Sequence, residues 1–139
     1  MDPDTVLRLA HDQAMQYPSV VIDHPFGPEN TVYKVRGKMF MMQYELHGVP
    51  SMNLKIDPLD GEVLRDAYAE ITPGYHMSKK HWITVAGAGD DESAAGGNAL
   101  DAELLHDLVL ESYCLVVAKV PKKDRPVDPT TFGGRDAAG

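Results

Sequence analysis

Three observations predict an α+β fold, an antiparallel β-sheet packed against helices. Two β-prone runs at 31–35 and 39–44 flank a short glycine-bearing turn, which is the signature of a hairpin. A third run at 51–56 alternates apolar and polar residues. Helical spacing of apolar residues then opens and closes the chain. With 139 residues the chain is long enough to bury one core. One domain is expected over residues 1–123, with 124–139 as a flexible tail.

Asp4 or Thr5 is expected to cap a first helix running to about Gln16, with Val6, Leu9, Ala10 and Ala14 on one face. Tyr17-Pro18 stops it, because the residue before proline is pushed out of the α region. Residues 19–22 read as a short strand or an extended connection, and 23–30, dense in Pro and Gly, as a loop. After the hairpin, Met52, Leu54 and Ile56 share one strand face, leaving Ser51, Asn53 and Lys55 on the other. Asp57-Pro58 caps a helix to about Tyr68. A turn-rich window from Thr72 leads into a strand at 82–85. Residues 86–98, rich in Gly, Ala and acids, read as a flexible loop. A long amphipathic helix covers 101–118, and a frayed tail begins at Lys122.

The charge balance narrows the function classes. Thirteen Lys and Arg stand against 21 Asp and Glu, a formal net charge of -8, which argues against a general nucleic-acid coat protein. A local basic face is still compatible with that sum, because a ligand is steered by the field at its site. Residues 31–56 hold Lys34, Arg36, Lys38 and Lys55 against the single acid Glu45, whereas 86–111 carry seven acids and no Lys or Arg. The window 72–85 has no carboxylate in fourteen positions, and it contains His76, Lys79, Lys80, His81 and the only tryptophan, Trp82. Such a distribution fits a phosphate-contacting surface. It also fits solvated strand faces whose lysines discourage edge pairing.

The lone cysteine, Cys114, allows no intrachain disulfide and points to a reducing compartment, and the acidic N-terminus has no signal-peptide pattern. No apolar run is long enough to span a membrane. The expected location is cytoplasmic.

The residues also resemble a known family. His24-Pro25-Phe26-Gly27-Pro28, the run Val32 to Phe40, and Asn53-Leu54-Lys55 are similar to consecutive motifs of the MmcQ/YjbR proteins. Pro73 to Trp82 resembles that family's central signature, and Ser112-Tyr113, Leu115-Val116 and Lys119 its closing helix. The likeness covers about residues 4 to 123. It implies a compact double-wing fold with a DNA-binding label that rests largely on shape. The loop at 86–98 is longer and more acidic than that family's usual turn.

For phosphate contact the candidates are Lys34, Arg36, Lys38, Lys55, Lys79 and Lys80. Tyr75, His76 and His81 are placed to hydrogen-bond phosphate or to stack on a base. Asn53 either reads a base edge or holds the turn. Gly74 is expected to supply a positive φ, Trp82 to pack in the core, and the Met39/Met41/Met42 cluster to be core. No metal site is expected, since His76 and His81 are five apart and match no zinc-ligand spacing. No catalytic nucleophile, P-loop or cofactor motif is present.

The leading expectation is therefore a non-catalytic protein that binds DNA with low sequence specificity through the basic hairpin and the Tyr75–His81 turn. The alternative is a module for a small anionic ligand or a protein partner on the same surface. A deep pocket under the turn favours the alternative, and a flat face flanked by projecting wings favours DNA.

Overall fold

The computed structural model describes residues 2–86 and 100–134. The expected acidic loop at 86–98 lies outside them except for Ala86. The first helix, α1, spans Pro3–Ala14 and starts two residues before the expected point. Asp2, not Asp4 or Thr5, is its cap, its carboxylate accepting from the Thr5 backbone N–H at 3.0 Å, with Pro3 in the first turn where its missing N–H costs nothing. The strands that follow are β1 (Val20–Asp23), β2 (Thr31–Val35), β3 (Lys38–Leu46) and β4 (Val49–Lys55). Then come α2 (Pro58–Ala67), β5 (Ile71–Pro73), β6 (Trp82–Ala86) and α3 (Ala102–Val117).

The strands form one six-stranded sheet in the order β1-β2-β3-β4-β6-β5, with every neighbouring pair antiparallel. The α+β architecture is as expected. Two tight hairpins set its central register. The turn between β2 and β3 places Arg36 and Gly37 at φ 49 and 83, and that between β3 and β4 places His47 and Gly48 at φ 52 and 80. Positive φ at both central residues matches the right-handed twist of the flanking strands. The three-residue strand β5 (Ile71–Pro73), which overlaps the start of the turn-rich window, departs from the expected turn. It forms the outer edge beside β6 and ends in Pro73.

Helices α1 and α3 pack together across one face of the sheet. Val6, Ala10 and Ala14 of α1 meet Val109, Tyr113 and Val117 of α3, over Tyr33, Met41, Met52, Leu54 and Ile83 from the strands. One buried hydroxyl ties the helix layer to the sheet. Ser112 Oγ donates to the Phe40 carbonyl at 2.5 Å and accepts from the Lys55 N–H at 2.8 Å. It thereby satisfies two backbone groups near the irregularity in β2–β3 pairing, between Tyr33 and Lys34.

The expected frayed tail is instead packed from Lys122 to Gly134. Two short 3-10 turns carry Phe132 onto Tyr17 and Tyr113, with ring centroids 5.6 Å away in each case. The segment's low apolar content concealed this, because a few side chains, Val127, Pro129 and Phe132, supply its apolar contacts. Arg125 adds two clamps on the end of α3, donating to the carbonyls of Val120 and Ala118 at 2.9 Å. Among the described residues, no helix is long and apolar enough to cross a membrane.

Phe132→Ala is expected to lower the unfolding free energy by about 2 kcal/mol, part of the cost of a fully buried ring. Urea denaturation checks it; an unchanged midpoint would mean that the segment contributes nothing. Burial also pushes Tyr17, Tyr33 and Tyr113 up to about 12. These phenols stay protonated in the fold when an unfolded chain has begun to lose its protons near 10, so stability should fall as pH rises from 10 towards 12. Urea midpoints through that range, paired with tyrosinate absorbance, test the sign.

Candidate functional site on the open sheet face

The face of the sheet away from α1 and α3 is built from the alternate residues of each strand. One row across it reads Val32, Met42, Asn53, Thr84 and Thr72, successive partners from β2 to β5. Beside that row lie Lys34 paired with Met39, and Lys55 paired with Trp82. Two loops border the face, the 24–30 loop after β1 and the 74–81 turn between β5 and β6.

The turn is fixed to the sheet by Asn53. This side chain is 0% exposed, so it is not free to read a base edge, and of its two expected roles it holds the turn. Its Oδ1 accepts from the Tyr44 hydroxyl at 2.7 Å and from Thr84 Oγ1 at 2.8 Å, and its Nδ2 donates to the Tyr75 carbonyl at 3.1 Å. Thr84 Oγ1 also accepts from the Tyr75 N–H at 2.8 Å. Both backbone groups of Tyr75 are thus satisfied by buried side chains. Burial raises the Tyr44 phenol above its ordinary range, against the opposing pull of its hydrogen bonds to Thr84 and Asn53. Tyr44 remains a neutral donor to Asn53, and its ring lies nearly parallel to that of Tyr75.

Gly74 is required for a different reason from the expected one. It has no positive φ; a Cβ there would stand 2.7 Å from Trp82 Cβ and 2.9 Å from the Trp82 carbonyl oxygen. The left-handed position in this turn belongs to His76, at φ 58, whose ring lies 4.1 Å from that of Tyr75. Trp82 is half-buried on the open face and is not part of the main core. The Lys55 ammonium sits 5.8 Å from its ring centroid.

The expected cations divide into several groups. Lys34 is paired with Asp23 at 3.0 Å, and its hydrogen bond holds the Asp23 carboxyl below the ordinary range. Arg36 donates to the Asp124 carbonyl at 2.9 Å, clasping the first hairpin turn to the C-terminal segment. Lys79 donates to the Gly74 carbonyl at 2.9 Å and closes its own turn. Lys80 and His81 are exposed at the end of that turn. Lys55 is the perturbed one. Burial lowers its pKa first, and the charges of Lys119 and Lys38 lower it further. In the sequence Lys119 belongs only to the closing-helix pattern; its charge reaches Lys55 through the way α3 lies across the sheet.

Between the two loops lies a groove of about 660 Å3 that reaches from Phe26 to Met77. Met39, Met42 and Val32 form its floor, and Lys34, Asn30 and His76 supply its polar positions. Of the methionines expected in the core, only Met41 is there; Met39 and Met42 are half-buried in this groove. The irregularity in β2–β3 pairing turns Met39 outward beside Lys34, which simple counting of alternate residues does not foresee. Among the described residues, no group of three or more His, Cys, Asp or Glu side chains is placed to hold a metal ion.

The YjbR family model matches residues 15–115. The chain belongs to the YjbR family. The Escherichia coli O157:H7 protein YbdF is 41% identical over 125 residues, covering 90% of this chain and 95% of that protein. YjbR of Escherichia coli K12 is 30% identical over 95 residues, or 68% of this chain and 73% of its own. Among solved structures, the Deinococcus radiodurans protein DR2400, with a DUF419 domain, matches at a TM-score of 0.73 and 32% identity, covering 96% of this chain and 95% of that one. A Pseudomonas syringae protein matches at 0.61 and 26% identity, covering 75% and 92% respectively.

Asn53→Ala removes the common partner of Tyr44, Thr84 and the Tyr75 carbonyl. Loss of about 3 kcal/mol is expected, because buried polar groups are left unpaired. Denaturant midpoints measure it, and a change below about 0.5 kcal/mol would show that the network does not hold the turn.

Proposed function

We propose that this chain is a non-catalytic module that binds DNA with low sequence specificity, contacting the sugar-phosphate backbone with the cations at the Lys55 end of the sheet and along the 74–81 turn that borders its open face. The observation that carries this reading is the crowding of cations at Lys55. Burial is the first cause of its lowered pKa, the charges of Lys119 and then Lys38 add to it, and Lys55 has no ion pair among the described residues. Like charges held together at a half-buried position repel one another, and a polyanion relieves that repulsion. The exposed Lys80 and His81 extend the same character along the 74–81 turn. Lys34, with its carboxylate partner, is a weaker contact, and Arg36 and Lys79 act mainly by holding the framework that presents the others. The bordering loops fit the double-wing description. The single buried Cys114 suits a reducing location, and we place the protein in the cytoplasm.

The groove favours a second reading, a compact anionic ligand with an apolar body, seated between Phe26 and Met77. Salt dependence separates the two. Fluorescence anisotropy of a labelled mixed-sequence DNA, offered as single strand and as duplex, is the test. With Lys38, Lys55 and Lys119 each contacting a phosphate, log K should fall with log salt with a slope of about -2 to -3. The Lys38→Gln/Lys55→Gln/Lys119→Gln variant should lose most of that slope. No binding of either form at low salt would overturn the DNA reading and leave the compact ligand.

A further inference from the structure

Resting on that reading, we infer that the DNA form this face selects is unpaired, with one or more bases seated in the groove between the two loops. A duplex keeps its bases stacked inside and offers phosphates at its surface. It can reach Lys55 and Lys119, but it would leave an apolar groove of about 660 Å3 without a partner. A base swung out of an unpaired strand has flat apolar faces and a polar edge, which match this lining. Thioethers of Met39, Met42 and Met77 and the ring of Phe26 suit such a face.

The loop bearing Phe26 is organised in advance. The ring of His24 bonds the Asn30 carbonyl through Nδ1 at 2.9 Å, Asn30 Nδ2 donates to the Phe26 carbonyl at 3.3 Å, and the Gly27 N–H donates to the His24 carbonyl at 3.3 Å. Phe26 nevertheless remains 68% exposed. A large aromatic displayed on a braced loop loses little freedom when a flat ring stacks on it. The Asn30 Oδ1 is left to accept from a base edge. Lys34 lies within the same groove with its charge shared by Asp23, and Lys55, on β4 beside Trp82, places positive charge for a strand that runs out of it. Apolar stacking surface interrupted by cations is the pattern that binds single strands with little regard to sequence.

The test compares three labelled oligonucleotides of equal length and nearly equal charge per strand: a mixed-sequence single strand, its abasic counterpart, and the corresponding duplex. The base-bearing strand should bind at least about tenfold more tightly than either of the others. Phe26→Ala, at an exposed position that does not threaten folding, should weaken it about tenfold and leave the abasic strand unchanged. Equal affinity for the abasic strand, or a duplex that binds as tightly, overturns base seating. If that duplex binding is salt-sensitive and depends on the three lysines, the backbone-binding reading survives. Failure of all three to bind overturns both.

Discussion

The buried amide of Asn53 is the interaction on which the open face depends. It lies at the centre of the sheet, on β4, and its three hydrogen bonds reach β3, β6 and the turn that follows β5. The backbone ladder already joins β4 to β3 and β6, but the bond to the Tyr75 carbonyl reaches a turn beyond β6 that no ladder bond of β4 could hold. A buried amide left half-paired costs more than its bonds return, so the network is stable only when Tyr44, Thr84 and Tyr75 are all in place. Specificity for one turn conformation follows from that requirement. The groove then takes its shape from the turn, because His76 and Met77 are carried by the same backbone that Asn53 holds.

The helix layer and the open face divide the labour between them. The aromatic contacts of Tyr113 with Tyr17, Phe40 and Phe132 concentrate packing on one side of the sheet. The opposite side keeps its apolar surface only half-covered and sets cations around it. Ser112 links the two layers through the Lys55 backbone, so the lysine beside Trp82 is positioned by a residue of the far helix. The candidate site is therefore presented by the core rather than added to it.

The sequence allowed most of the architecture to be read. Hairpin turns, the alternation in 51–56 and the proline after Asp57 each have a local cause, and the strands and helices they imply are present. The departures share a different origin. Asn53 reads as solvent-facing from alternation alone, yet a turn more than twenty residues later covers it. Gly74 reads as a conformational device, but the need for it is the proximity of Trp82 across a strand pair. Met39 faces outward because pairing slips between Tyr33 and Lys34, and Lys119 joins Lys55 only through the path of α3. Residue types and loops at the site were legible; the partners that decide which side chains remain free were set by tertiary approach.

The edges of the sheet carry a consequence for partners. At one end β5 has three residues and closes with Pro73, which has no N–H to offer. At the other, β1 has four, enters from Ser19 in the left-handed region, and ends at Asp23, whose carboxylate is engaged by Lys34. Neither edge presents a long, regular row of unpaired donors and acceptors, so the sheet is poorly suited to being lengthened by a strand from another chain. Association by backbone augmentation, which needs no particular side chains, is thereby disfavoured, and recognition is directed to the side chains of the face.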